Sequence, residues 1–200
     1  MKTILCFGDS NTQGLCPDGS RLSKRKRWPG VMFEHLGKDY EVIEEGLKGR
    51  TTTLDDPIEG KSKNGRRYLK PCLESHAPLD LVIVMLGTCE MKNRYGLSAL
   101  DIALGMERLL KTLEKYETLL MSPIPFGSGI EKNPLYGHAK NLPMEVTKLY
   151  EEIAKKNEIA FLNTSKFVQA NASDSLHLDE EGHRKLGTAV AAIVATLLET

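Results

Sequence analysis

The sequence predicts an α/β fold, a three-layer α/β/α sandwich with helices on both faces of a parallel sheet of about five strands, on three observations. Short apolar segments alternate with amphipathic ones along the whole chain, the order expected of βαβ units. The most apolar segment, residues 79–86 (LDLVIVML), is hydrophobic at successive positions and rich in β-branched side chains, as a central parallel strand buried on both faces must be. Finally, 200 residues with 40% apolar and 27% charged side chains, without a repeat or a linker-like tract, fit one domain spanning residues 1–200.

Taken in order, residues 3–7 form the first strand, closed by Gly8. Residues 28–36 follow as a short helix with Pro29 in its first turn, where a missing amide costs nothing. Residues 40–45 (YEVIEE) alternate and give the second strand; residues 79–86 give the third. Ile102, Met106, Leu109, Leu110 and Leu113 then recur at helical spacing behind a capping box of Ser98 and Asp101. Residues 118–121 are the fourth strand. Leu142, Val146, Leu149, Tyr150 and Ile153 mark the next helix, and residues 159–162 the fifth strand. Leu186, Val190, Ile193, Val194 and Leu197 stripe the last helix, which Asp179 caps. Stretches 46–65 and 122–137 stay irregular and are long for mere connections, so they are candidates for building a site.

Composition removes several function classes. Basic and acidic side chains number 27 each, so no global field recruits nucleic acid or an anionic membrane. Arg21, Lys24, Arg25, Lys26 and Arg27 lack interleaved aromatics and read as a solvated loop. No stretch approaches the roughly 20 apolar residues of a membrane span. The apolar run after Lys2 stops at Gly8-Asp9, too soon for a signal peptide, so Asn163-Thr164-Ser165 and Asn171-Ala172-Ser173 are chance matches to a glycosylation pattern. The cysteines at 6, 16, 72 and 89 lack CxxC spacing and read as reduced thiols of a cytoplasmic protein. The histidines at 35, 76, 138, 177 and 183 lack HxxxH or HxH spacing, and no metal is expected.

In such sheets ligands gather at the carboxyl ends of the strands. Gly8-Asp9-Ser10-Asn11 follows the first strand; the glycine permits a sharp turn, and Ser10 projects a hydroxyl over the sheet edge. A turn that merely caps a helix reads the same way. Before the last helix comes Asp174-Ser175-Leu176-His177. An aspartate three residues ahead of a histidine lets the carboxylate accept from Nδ1–H and leaves Nε2 free to take a proton. Ser10, Asp174 and His177 thereby supply nucleophile, orienter and base. Gly46 after the second strand and Gly87-Thr88-Cys89-Glu90 after the third expose backbone amides that suit a developing oxyanion.

These residues resemble the GDSL or SGNH hydrolases, serine esterases and lipases on a flavodoxin-like sheet. Gly8-Asp9-Ser10-Asn11 matches the first block of that family, Glu45-Gly46-Leu47-Lys48-Gly49-Arg50-Thr51-Thr52 looks like the second, and Asp174-Ser175-Leu176-His177 the last. With Arg27-Trp28-Pro29 after the first block, the chain is similar to the bacterial arylesterase branch. The resemblance spans nearly the whole chain. It implies Ser10 as nucleophile, His177 as base with Asp174 as its partner, and the Ser10 and Gly46 amides as part of an oxyanion hole. It also implies a small-molecule ester substrate, no cofactor, and a homo-oligomer.

The third block departs from the family. Its usual Gly-x-Asn-Asp is Gly87-Thr88-Cys89-Glu90, so Cys89 stands where an asparagine amide is the third oxyanion donor. A thiol is a weak donor. A thiol nucleophile at Cys89 is disfavoured, because the matching asparagine donates and does not attack. Phe126, Ile130 and Tyr136, after the fourth strand, are expected either to line an acyl or aryl pocket or simply to pack the loop. The expected function is hydrolysis of small carboxylic esters, aryl or short-chain acyl, through an acyl-enzyme on Ser10. Two alternatives stay open: a carbohydrate O-acetyl esterase, and a non-catalytic ligand-binding member of the family, motivated by Cys89.

Overall fold

The computed structural model describes residues 1–198 and is organised around five parallel strands in the order β2-β1-β3-β4-β5. The strands are β1 (Lys2–Gly8), β2 (Tyr40–Gly46), β3 (Leu81–Met85), β4 (Thr118–Met121) and β5 (Ala160–Leu162). The helices are α1 (Ser10–Gln13), α2 (Trp28–Leu36), α3 (Gly65–His76), α4 (Ala99–Leu110), α5 (Leu142–Lys156) and α6 (Glu180–Leu198).

Strand alternation sorts the core into two halves. Ile4 and Cys6 of β1 face Trp28, Met32, Ile83, Leu186 and Val190, so α2 and α6 cover one face. Leu5 and Phe7 face Leu69, Val84, Ile102, Met106 and Tyr150, so α3, α4 and α5 cover the other. Every residue of β3 is buried, as its unbroken apolar run requires. The capping box at α4 is present in full, and Asp179 Oδ1 accepts from the Gly182 amide at 2.8 Å at the start of α6.

Two helices lie where the sequence pattern gave none: the single turn α1 and the longer α3. The chain segment Gly-Arg-Arg-Tyr-Leu-Lys-Pro-Cys-Leu-Glu-Ser-His forms α3, capped by the Asn64 side chain on the Arg67 amide. Only Leu69, Cys72 and Leu73 make its apolar stripe, and Pro71 in its interior removes one helical amide. The stretch before it holds a single 3₁₀ turn, Lys61–Lys63, and is tied down: the buried Asp56 carboxylate is held by Lys92, Arg94 and the Tyr95 hydroxyl. Burial raises its carboxyl, but hydrogen bonds from Tyr95, the Glu59 and Ile58 amides and Arg94 outweigh it and hold the group well below the ordinary range. The segment after β2 and the segment after β3 thus form one charged junction.

The order β2-β1-β3 means that the chain leaves β1 in one direction and later returns on its other side. The crevice at the carboxyl ends of β1 and β3 is the switch point of such a sheet. Gly8 ends β1 between Gly46 of β2 and Met85 of β3. No helix among the described residues is long and apolar enough to cross a membrane.

Candidate active site

Ser10 opens α1 at this switch point, directly after the turn at Gly8-Asp9. The Asp9 side chain accepts from the Asn11 amide at 3.0 Å, which closes the turn and caps α1. Burial pushes the Asp9 carboxyl up, and hydrogen bonds from the Asn11 amide and Thr88 oppose that rise.

His177 meets Ser10 across 167 positions of sequence: Nε2 lies 3.0 Å from Ser10 Oγ. Its Nδ1 is 2.6 Å from Asp174 Oδ2. A carboxylate only accepts, so Nδ1 carries the ring proton and Nε2 accepts from the Ser10 hydroxyl. Asp174 Oδ1 also accepts the amides of Leu176 and His177, at 2.9 and 3.0 Å. Burial raises the Asp174 carboxyl, but the His177 side chain and these two amides outweigh it and hold the group below its ordinary value. Between the two residues Ser175 adopts φ 60°, a left-handed conformation uncommon for a side chain of this kind. Its Oγ donates to Ser128 O at 2.8 Å, and its carbonyl accepts from the Gly127 amide at 3.0 Å.

The predicted oxyanion residues divide. Gly46 is paired with Gly8, yet the amide that donates to Gly8 O is that of Leu47, at 3.1 Å, so Gly46's own N–H faces away from β1. Its missing Cβ has another use. A methyl there would lie 2.2 Å from Gln13 N, so Gly46 lets α1 cross the end of β2. In the loop that follows, Leu47, Lys48, Arg50, Thr51 and Thr52 donate to Gly8 O, Gln13 Oε1, Leu47 O, Lys63 O and the Glu90 carboxylate. Gly49, buried with φ 82°, has no acceptor for its amide among the described residues, nor has Ser10.

Cys89 is buried in a short turn after β3, at 3% exposure. Burial, reinforced by the nearby Asp9 and Glu90 carboxylates, pushes its thiol well up, so it stays neutral and is no thiolate nucleophile. Phe126, Ile130 and Tyr136 follow β4. All three are buried in the core shared with β3, α4 and α5, and the Phe126 and Tyr136 rings meet edge to face at 5.7 Å. That burial fits the loop-packing expectation.

Two further residues hold the site and were not singled out in the sequence. Asn11 clamps the loop bearing His177: Oδ1 accepts the Leu178 amide at 3.0 Å and Nδ2 donates to Leu176 O at 3.3 Å. Its signal was present, as the last residue of the first block, but its partners lie at the other end of the chain. Arg50 is buried against the Phe7 ring, 4.1 Å from its centroid, and donates to the carbonyls of Gly8 and Glu45. An arginine among polar loop residues carries no signal of this kind.

A switch-point serine, hydrogen-bonded through histidine to aspartate on a three-layer α/β/α sandwich, defines a class of hydrolases acting on esters. A profile of the GDSL-like lipase/acylhydrolase family matches residues 6–185, and the chain belongs to that family. Among solved structures, an aryl esterase of M. smegmatis is 36% identical, with a TM-score of 0.93 over 99% of this chain and 100% of its own. Est24, a carbohydrate acetylesterase from Sinorhizobium meliloti, is 34% identical, also with a TM-score of 0.93 over 99% of this chain and 100% of its own. No curated protein matches the sequence. The chain is a GDSL-type esterase or acylhydrolase in fold and family.

Proposed function

We propose that this esterase cleaves small carboxylic esters of aryl or short-chain acyl type through an acyl-enzyme on Ser10. The observation that carries the reading is the unbroken hydrogen-bond chain Ser10–His177–Asp174. His177 Nε2 takes the hydroxyl proton as Ser10 Oγ attacks the ester carbonyl, and Asp174 stabilises the imidazolium that results. The amides of Ser10 and Gly49, both without an acceptor, receive the oxyanion, and Cys89 adds a weak third donor. His177 then returns the proton to the leaving alcohol, and water repeats the sequence on the acyl-enzyme. None of these steps calls on a cofactor.

The likeness to a carbohydrate acetylesterase supports a second reading, in which the alcohol is a sugar hydroxyl and the acyl group acetate. A panel of p-nitrophenyl and naphthyl esters of rising chain length, run beside acetylated sugars, separates the two. In the same experiment a fluorophosphonate probe labels wild type at Ser10 and leaves Ser10→Ala unlabelled. Labelling that persists in the variant overturns the assignment of the nucleophile. Inertness of wild type towards the whole panel brings the ligand-binding alternative forward.

A further inference from the structure

We propose that Glu45, Cys72 and His76 form a binding site for a thiophilic divalent cation of the zinc class. Cys72 and His76 stand four residues apart on α3, so their side chains share one face of the helix. That face lies against the end of β2, where Glu45 reaches it. One sulfur, one nitrogen and one oxygen donor from the three residues all lie within 4.8 Å of one another. His76 Nε2 and Glu45 Oε1 are 3.2 Å apart. Two N or O ligands bound at about 2.0–2.1 Å with tetrahedral angles sit about 3.3 Å apart, so this pair already has the spacing of a ligand edge. Cys72 Sγ has to close by roughly 1 Å to complete the set at its longer bond of about 2.3 Å.

The surroundings support the same reading. Tyr68, one turn earlier on α3, is 3.2 Å from Glu45 Oε1 and donates its hydroxyl, the kind of outer hydrogen bond that orients a metal-binding carboxylate. Arg50 approaches the other carboxylate oxygen at 3.9 Å and leaves Oε1 to the cation. Glu45 and His76 are partly exposed, which gives an entry path, whereas Cys72 is buried. Thiolate, imidazole and carboxylate together suit zinc, cobalt or cadmium and not magnesium or calcium. On binding, the Cys72 S–H bond breaks, its proton passes to solvent and an S–metal bond forms. His76 contributes the Nε2 lone pair with its proton on Nδ1. Thiolate and carboxylate neutralise the dication, and the fourth position is left to water. Histidine spacing gave no hint of this set, because the spacing that matters runs from a cysteine to a histidine along the helix that the sequence reading missed.

The test uses the untagged, reduced chain, stripped of metal with a chelator and titrated with Co²⁺. One equivalent should give tetrahedral visible bands and a thiolate-to-cobalt charge-transfer band, both displaced by Zn²⁺. Cys72→Ser should abolish the charge-transfer band, and His76→Ala should weaken binding by on the order of 10- to 100-fold or more. Cys16→Ser should leave the band intact. Absence of the band in wild type, its survival in Cys72→Ser, or its loss in Cys16→Ser overturns the proposal. If Cys72→Ser fails to fold by circular dichroism, His76→Ala decides, since that side chain is partly exposed: unchanged affinity there overturns it equally.

Discussion

Cys89 is the residue at which a single exchange should change the chemistry most. If its side chain faces the oxyanion, Cys89→Asn supplies a neutral amide donor where a buried thiol now stands. The gain should appear in kcat, because such a contact strengthens as charge develops, and should not exceed roughly 100- to 1,000-fold. Cys89→Ala should cost wild type only a few-fold. Steady-state kinetics on a p-nitrophenyl ester check both, and the reverse ranking would give Cys89 a chemical role of its own. Asp174→Asn should lower kcat by on the order of 10⁴-fold, since an amide at that position favours the wrong imidazole tautomer. Near-wild-type turnover in that variant would move the partner role to another carboxylate. Asp174 also sets a limit at low pH. Its carboxyl is held below the ordinary value, so the folded chain takes up that proton less readily than the unfolded chain. Its contribution to stability is complete above about pH 4 and is lost as pH falls below that. Thermal unfolding followed from pH 5 downwards should show the loss, and Asp174→Asn should lack that component.

At the level of elements, a dependence on pH is built in where α2 meets α6. His183 is buried there and accepts the Trp28 amide on Nδ1 at 3.2 Å. Burial lowers its pKa to about 4, so as pH falls from about 6.5 the unfolded chain gains a proton that the folded chain refuses. Stability should therefore decline between about pH 6.5 and 4. His183→Leu should flatten that decline while lowering stability at pH 7 by about 1–3 kcal/mol, because the Trp28 amide is left unpaired. Chemical denaturation across this range measures both effects, and an unchanged slope would exclude His183 as its origin. The same junction is tight. A methyl on Gly187 would lie 2.6 Å from Val31 Cβ, so Gly187→Ala should cost about 1–3 kcal/mol, read as a lower Tm. Elements with a dense apolar period, such as α4 and β3, were legible in the sequence. Helix α3 was not, because its stripe is three residues wide and Pro71 interrupts it. The third strand was read too long, since Leu79 and Asp80 precede the ladder that begins at Leu81.

Over the whole molecule, hydrophobic periodicity made the parallel sheet legible, and the residues closing β1 and preceding α6 made the Ser10, Asp174 and His177 constellation legible. The remainder depends on contacts between segments far apart in sequence. No local pattern says that Gly46 packs under α1 while Gly49 keeps a free amide, or that Phe126 and Tyr136 turn into the core. Those outcomes are decided by which loops meet, and the Asn11 clamp on Leu176 and Leu178 is a clear case, joining residues 165 and 167 positions apart. That clamp has a kinetic consequence. Closing so long a loop, matched in the site only by the Ser10–His177 pair, carries a large chain-entropy cost that is repaid only when the sheet between the two segments has formed. On a ribosome the nucleophile would emerge early and wait for the base. During refolding from denaturant, recovery of esterase turnover should lag the return of helical ellipticity, and Asn11→Ala should lengthen that lag more than it lowers equilibrium stability.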